Sequence, residues 1–398
     1  MQDEFAPSET TMWDVVPAPT HTRASDDDIN QKYASREWRI VTESNREQLP
    51  NFVDALKRPG WMEVRPHYQR RLRWDDERQS KLIESFIMNI PVPPLFVYEA
   101  DLAKYEVMDG QQRITAIRDF YSNTLRLKGL DQWPELNGRT YARLPSEIRK
   151  GLDRRSISYT VLLKESAETS EEQELLRQQV FERLNTGGIA LSQQEVRNAL
   201  YQGPFNILLL ELARHPLFRR AWGIPLATAD EDTNPSSELL ENTMFSPMRD
   251  VEVVLRFFAL RHAAQYQRGM QGFLDLYMIR SRSFDETDIV TLRGLFEETI
   301  SLSAELFGDL LFRPWNAETS TWAPRGQIAF ADAVMVGVSR HLASKDVLVR
   351  RKVEVLEATQ MLFATHQPGT FAGRGNTKAD VNERIDLFAS MLESVAGS

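Results

Sequence analysis

The sequence predicts an α+β fold, with a small mixed sheet and its flanking helices followed by a mostly α-helical C-terminal region. Three observations carry this. "LFVYEA" (95–100) and "YEVM" (105–108) are short β-type runs set between strongly helical patterns. "ISYTVLL" (157–163) alternates apolar and polar residues as a third strand. Beyond residue 238 the apolar spacing is helical almost throughout.

The chain has 398 residues, 42% of them hydrophobic, enough for a sizeable core and for two domains or one large domain with an appendage. No run approaches the ~18–20 apolar residues of a membrane span, and "MQDEFAPSETTMWDVVPAPT" has neither a basic start nor an apolar h-region. A cytoplasmic protein with no membrane partner is therefore expected. The absence of cysteine excludes disulfides, thiolate metal sites and cysteine nucleophiles. A net charge of −9 argues against DNA binding by the whole surface, since phosphate neutralisation needs a basic footprint.

Residues 1–33 mix Pro, Ser, Thr and Asp with little periodicity and read as a disordered, mobile tail. Asp75, Asp76 and Glu77 suit a helix first turn, and Leu82, Ile83, Phe86, Ile87 and Ile90 follow at helical spacing until Pro91, Pro93 and Pro94. A turn at Asp101–Ala103 joins the two strands as a hairpin, and a helix over 111–123 follows directly. Asn137-Gly138 marks a turn. A helix from about 171 runs into Asn185, Thr186, Gly187 and Gly188, and Ser192 with Glu195 opens the next as a capping box. "ATADEDTNPSSE" (227–238) reads as a linker between a domain over 34–225 and a helical domain over 239–398. Helices are expected at 247–267, 270–280, 285–307, 325–343, 345–365 and 377–394.

Three stretches could carry chemistry. In "YEVMDGQQRITAIRDFY" (105–121) a strand turns into a helix at Asp109-Gly110. Asp109 as N-cap with Gln112 as its capping partner is the plain structural explanation. Free first-turn amides after a glycine, with Arg113 alongside, equally make an anion site, and spacing does not decide between them. "RPHYQRRLRW" (65–74) carries four arginines and no acid. "FERLNTGGIALSQQEVRNA" (181–199) offers either a helix cap and loop or a glycine-rich turn edged by Arg183, Asn185 and Arg197. The six histidines, at 21, 67, 215, 262, 341 and 366, lack metal-site spacing, and there is no P-loop. The basic cluster at 139–155 reads as solvated surface.

Together these stretches resemble the ParB-like N-terminal domain of the GmrSD family, modification-dependent restriction and anti-phage defence factors, over about residues 35–225. "MRDVEVVLRFFALRH" and "GMQGFLDLYM" resemble the helical continuation of such proteins. The resemblance implies a ParB/sulfiredoxin-like fold whose D-G-Q-Q-R segment binds and hydrolyses a nucleoside triphosphate, whether GTP, ATP or CTP, with Mg²⁺ assisting. By that resemblance Asp109, Gln111, Gln112 and Arg113 are the catalytic candidates. Tyr68, Gln69, Arg70, Gly110, Arg183, Asn185, Thr186 and Gly187 are the nucleotide-binding ones.

The sulfiredoxin reaction itself is excluded because it needs a cysteine. The HNH-type histidine constellation of the family's nuclease domain is missing after residue 225, so cleavage is expected from a separate effector such as a nuclease. DNA and a second copy of the chain are further expected partners. The competing functions are a module that reads modified DNA, a ParB-like nuclease without nucleotide turnover, and a scaffold.

Overall fold

The computed structural model describes residues 5–13, 25–27, 30, 42–63, 74–163, 177–181, 183, 192–201, 203–231, 235–367, 369–371, 373 and 375–397. The chain divides into two compact units, Pro19–Leu191 and Met1–Ala18 with Ser192–Ser398.

The first unit is α+β. Its strands are β1 (Thr42–Gln48), β2 (Met62–Glu63), β3 (Leu95–Asp101), β4 (Lys104–Asp109) and β5 (Ser156–Leu162), and its helices α1 (Leu49–Leu56), α2 (Asp76–Ile87), α3 (Gln111–Tyr121) and α4 (Ser146–Asp153). The sheet order is β1-β5-β3-β4-β2. β1 pairs antiparallel with β5 and β3 with β4, whereas β5 runs parallel to β3 and β2 to β4, so the sheet is mixed.

Alternation along the strands sends Leu95, Val97, Val107, Ile157 and Val161 into one buried core with Phe52, Ile83, Ile117 and Phe120 of the helices. Burying each such side chain stabilises the fold by roughly 1.5–3 kcal/mol. The start of α2 follows the expected chemistry: Asp75 caps it, its carboxylate accepting from the Arg78 amide at 2.8 Å, and Asp76 and Glu77 fill the first turn. The helix ends at Ile87, and Ile90 lies beyond it, half exposed. On the buried side of α2, the Glu84 carboxylate accepts from the amides of Asp131, Gln132 and Trp133 and fixes that loop.

The second unit is helical. It comprises α5 (Gln193–Leu200), α6 (Pro204–Leu212), α7 (Pro216–Trp222), α8 (Ser237–Glu241), α9 (Arg249–Leu260), α10 (Gly269–Arg280), α11 (Glu286–Phe307), α12 (Ile328–Ser339), α13 (Lys345–Arg350), α14 (Lys352–Thr365) and α15 (Lys378–Gly397), with a two-stranded ribbon of β6 (Trp315–Asn316) and β7 (Thr321–Trp322). The capping box expected at Ser192 is present: its amide donates to Glu195 at 2.8 Å and its hydroxyl accepts from the Glu195 amide at 3.2 Å. The helix expected over 247–267 instead stops at Leu260, and that over 345–365 breaks at Arg351.

Two stretches differ from their compositional reading. Phe5–Trp13, read as part of a mobile tail, belongs to the second unit, where the 3-10 turn Pro7–Thr10 buries Glu9. Glu9 accepts from Arg261, from His262 at 3.0 Å and from Tyr277 at 2.6 Å, partners some 250 positions away that local composition does not reveal. The stretch 227–238, read as a linker, lies within the second unit, and Glu231 is buried there in a bidentate pair with Arg219.

Candidate functional site

The corner between β4 and α3 is built around Gly110. Its φ of 98° and ψ of 10° lie in the left-handed region, and a Cβ there would stand 2.3 Å from Leu95 Cδ2 and 3.3 Å from Arg113 Cζ. Only glycine meets both demands. Gly110 has no side chain to cap α3, which begins at Gln111 directly after the strand.

The capping expectation is corrected by where the two polar side chains go. Asp109 pairs with Arg113 Nη2 rather than capping the helix, and Gln112 Oε1 accepts from the Trp74 amide at 3.3 Å. The charge-assisted bond to a guanidinium four residues on outcompetes a neutral amide. Arg113 Nη1 also donates to the carbonyls of Pro93 and, at 3.0 Å, Pro94, so the guanidinium that the sequence assigned to phosphate is engaged in clamping the corner to the proline loop. Gln111 is buried at the first position of α3.

The strand register explains why Asp109 is available at all. Val107 stands opposite Val97, but the ladder slips by one residue and Asp109 stands opposite Phe96, away from the core-facing row. On the side of Phe96, Arg177 pairs with Glu106 and lies over the Tyr98 ring, its guanidinium carbon 5.1 Å from the centroid. The helical residues 177–181, with Phe181 fully buried, therefore lie against β3 and β4.

Of the remaining sequence candidates, Arg183 is exposed two residues further on. Tyr68, Gln69 and Arg70 lie outside the described residues, as do Asn185, Thr186 and Gly187. Arg197, read as edging the glycine turn, is fully buried in the second unit against Asp275, Glu252, Gln194 and Gln271, an internal structural cluster. Sequence reasoning missed Trp74, the proline carbonyls and the Glu106–Arg177–Tyr98 contact. The last carries no local signal because its members are far apart in the chain.

Among the described residues no group of three or more histidines or carboxylates could hold a metal ion. Asp109, at the corner, is already paired with Arg113. The described residues of the corner thus offer no ligand set for a cation of their own.

A glycine-led helix following an interior strand of a mixed five-stranded sheet, and a second, mostly helical unit, define an α+β protein. Residues 52–202 match the GmrSD restriction endonuclease N-terminal domain, so this segment is similar to that domain. The match takes in the corner and extends past the boundary between the units to the end of α5. No curated protein and no solved structure matches the chain. No helix among the described residues is long and apolar enough to cross a membrane.

Proposed function

We propose that the Asp109–Arg113 corner binds the phosphates of a nucleoside triphosphate and supports its hydrolysis, and that the chain is the nucleotide-dependent component of a restriction-type anti-phage system. The observation that carries this reading is the bond from the Trp74 amide to Gln112. It holds Trp74, four residues from Arg70 in sequence, beside the opening of α3. Under this proposal Arg70, in the arginine-rich run that Trp74 ends, serves the same opening.

Phosphate at the first turn gains from the helix dipole, roughly 0.3–1 kcal/mol when exposed, and more from a charge-assisted contact to Arg70. In this arrangement Arg113 and Asp109 position the corner, and Gln111 and Gln112 orient the nucleotide or a water. Hydrolysis on such a site is a matter of placement and charge stabilisation, with Mg²⁺ neutralising the phosphates. Cleavage of DNA falls to a separate effector.

The test is to give the full chain GTP, ATP or CTP with Mg²⁺, with and without modified DNA, and to follow binding and phosphate release. Arg70→Ala and Gln112→Ala are each expected to weaken nucleotide binding at least about tenfold. Binding and release that are the same in both variants as in the wild type would sink the reading. Steep salt-dependent DNA affinity without phosphate release would favour the DNA-reading module instead.

A further inference from the structure

Separate from the corner, the second unit holds a cavity of about 480 Å³ lined by Arg220, Trp222, Glu241, Asn242, Arg313 and Arg325. The guanidiniums of its three arginines have no hydrogen bond or ion pair among the described residues. Elsewhere in the same unit Arg197, Arg219 and Arg256 each have a buried carboxylate partner. Among the described residues, three guanidiniums without a partner line one cavity with Glu241 as the one acid there, in a chain of net charge −9. Their mutual repulsion is relieved by an anion, and guanidinium geometry favours phosphate.

The fold brings these groups together deliberately. Arg313 and Arg325 flank the β6–β7 ribbon, whose base is closed by the Ala323 amide donating to Pro314 O and the Gln327 amide to Phe312 O, both at 2.8 Å. Arg220 and Trp222 arrive on the last turn of α7. The indole stacks on Phe312 at 5.3 Å and is fixed there, and its Nε1 is buried without a partner. Gly326 permits the tight closure, since a Cβ would stand 3.2 Å from Phe312 Cβ and 3.3 Å from Trp222 Cζ3. Asn242 is already committed to Gly223 O and to the amides of Met244 and Phe245, so it shapes the cavity wall.

We propose that this cavity takes one nucleoside phosphate, its phosphate on Arg220, Arg313 and Arg325 and its base against the Trp222 indole. The volume suits a ligand of that size, and base–aromatic stacking with cationic backbone contacts is how single nucleotides of a strand are held. The ligand is either a free nucleotide or one unit of a single strand.

The experiment uses the full chain and a labelled single-stranded oligothymidylate, with thymidine monophosphate and inorganic phosphate as competitors, in the wild type and in a variant combining R220A, R313A and R325A. The combined variant is expected to bind the strand at least about tenfold more weakly and with a shallower salt dependence, each lost phosphate contact lowering the slope by about 0.7. If the combined variant does not fold, R220E and R325E singly, both at exposed positions, give the same readout. Displacement by the monophosphate at comparable concentration assigns a free nucleotide, and displacement by unlabelled strand alone assigns a strand unit. Absence of binding in the wild type, undiminished affinity in the variants, or inorganic phosphate competing as well as the monophosphate would overturn the proposal.

Discussion

Trp74 and Gln112 are tied by a hydrogen bond across 38 positions, the backbone amide of one donating to the side-chain carbonyl of the other at 3.3 Å. The bond asks residue 112 for an acceptor, and the proposed phosphate site asks it to carry no negative charge. Gln112→Glu satisfies the first and violates the second. It is expected to keep stability within about 0.5 kcal/mol of wild type while nucleotide affinity falls at least about tenfold through like-charge repulsion. Gln112→Ala, which leaves the amide without its acceptor, is expected to cost about 1–2 kcal/mol as well. Denaturant unfolding and nucleotide titration of the two variants side by side would show the split, and parallel losses in both would contradict it.

Gly110→Ala tests the corner by geometry alone. The new methyl meets Leu95 Cδ2 and the residue must hold a positive φ. Backbone strain and overpacking together are expected to cost about 2–4 kcal/mol, read as a lower denaturation midpoint. Adding Leu95→Ala to Gly110→Ala removes the clash but not the strain. The two changes should therefore be non-additive, with the double variant more stable than the sum of the single effects predicts.

The strand–corner–helix run from Leu95 to Tyr121 is legible in sequence because period-2 alternation switches to helical spacing at one glycine. β1 is not, because "TESNREQ" is an edge strand with no apolar alternation, and β2 has only two residues. The helices α6 and α7 did carry a signal that the reading passed over: each has proline at its first position, and α7 ends at Gly223 in the left-handed conformation. Asp109 illustrates a harder limit. A carboxylate before a glycine, three residues ahead of a glutamine, spells a cap, and only the folded corner shows that Arg113 takes it first. The docking of Glu9 and the pairing of Arg177 with Glu106 lie beyond any local pattern, since each joins segments that meet only in the folded unit.

The Arg256–Asp332 pair joins α9 to α12, with one bond at 2.9 Å and a second, shorter one, both residues being buried. Burial works against the Arg256 charge, and Asp332 more than restores it. Asp332→Ala leaves a buried cation uncompensated and is expected to cost about 3–5 kcal/mol. Arg256→Met combined with Asp332→Leu removes both charges and should recover most of that loss. Urea unfolding of the single and double variants gives the comparison, and a double variant as unstable as the single would refute the account.

Glu9 should make the second unit acid-sensitive through the docked N-terminal segment. Burial raises its carboxyl pKa, but the His262 hydrogen bond and the charges of Arg261 and His262 outweigh that and bring it from 4.5 down to about 2. A carboxylate depressed on folding contributes stability that is fully present above about pH 4.5 and disappears as the pH falls toward 2. The linked free energy is roughly 3 kcal/mol. The same site holds Phe5 stacked on His262 at 4.3 Å and Trp13 on Phe273 at 5.3 Å, so protonation also loosens an aromatic contact that burial had fixed. Glu9→Gln keeps the shape but loses the charge. Its melting temperature is expected to lie well below wild type at pH 6 and to converge with it as the pH drops from 4.5 toward 2. A gap that stayed constant over that range would show that the carboxylate charge does not hold the segment in place.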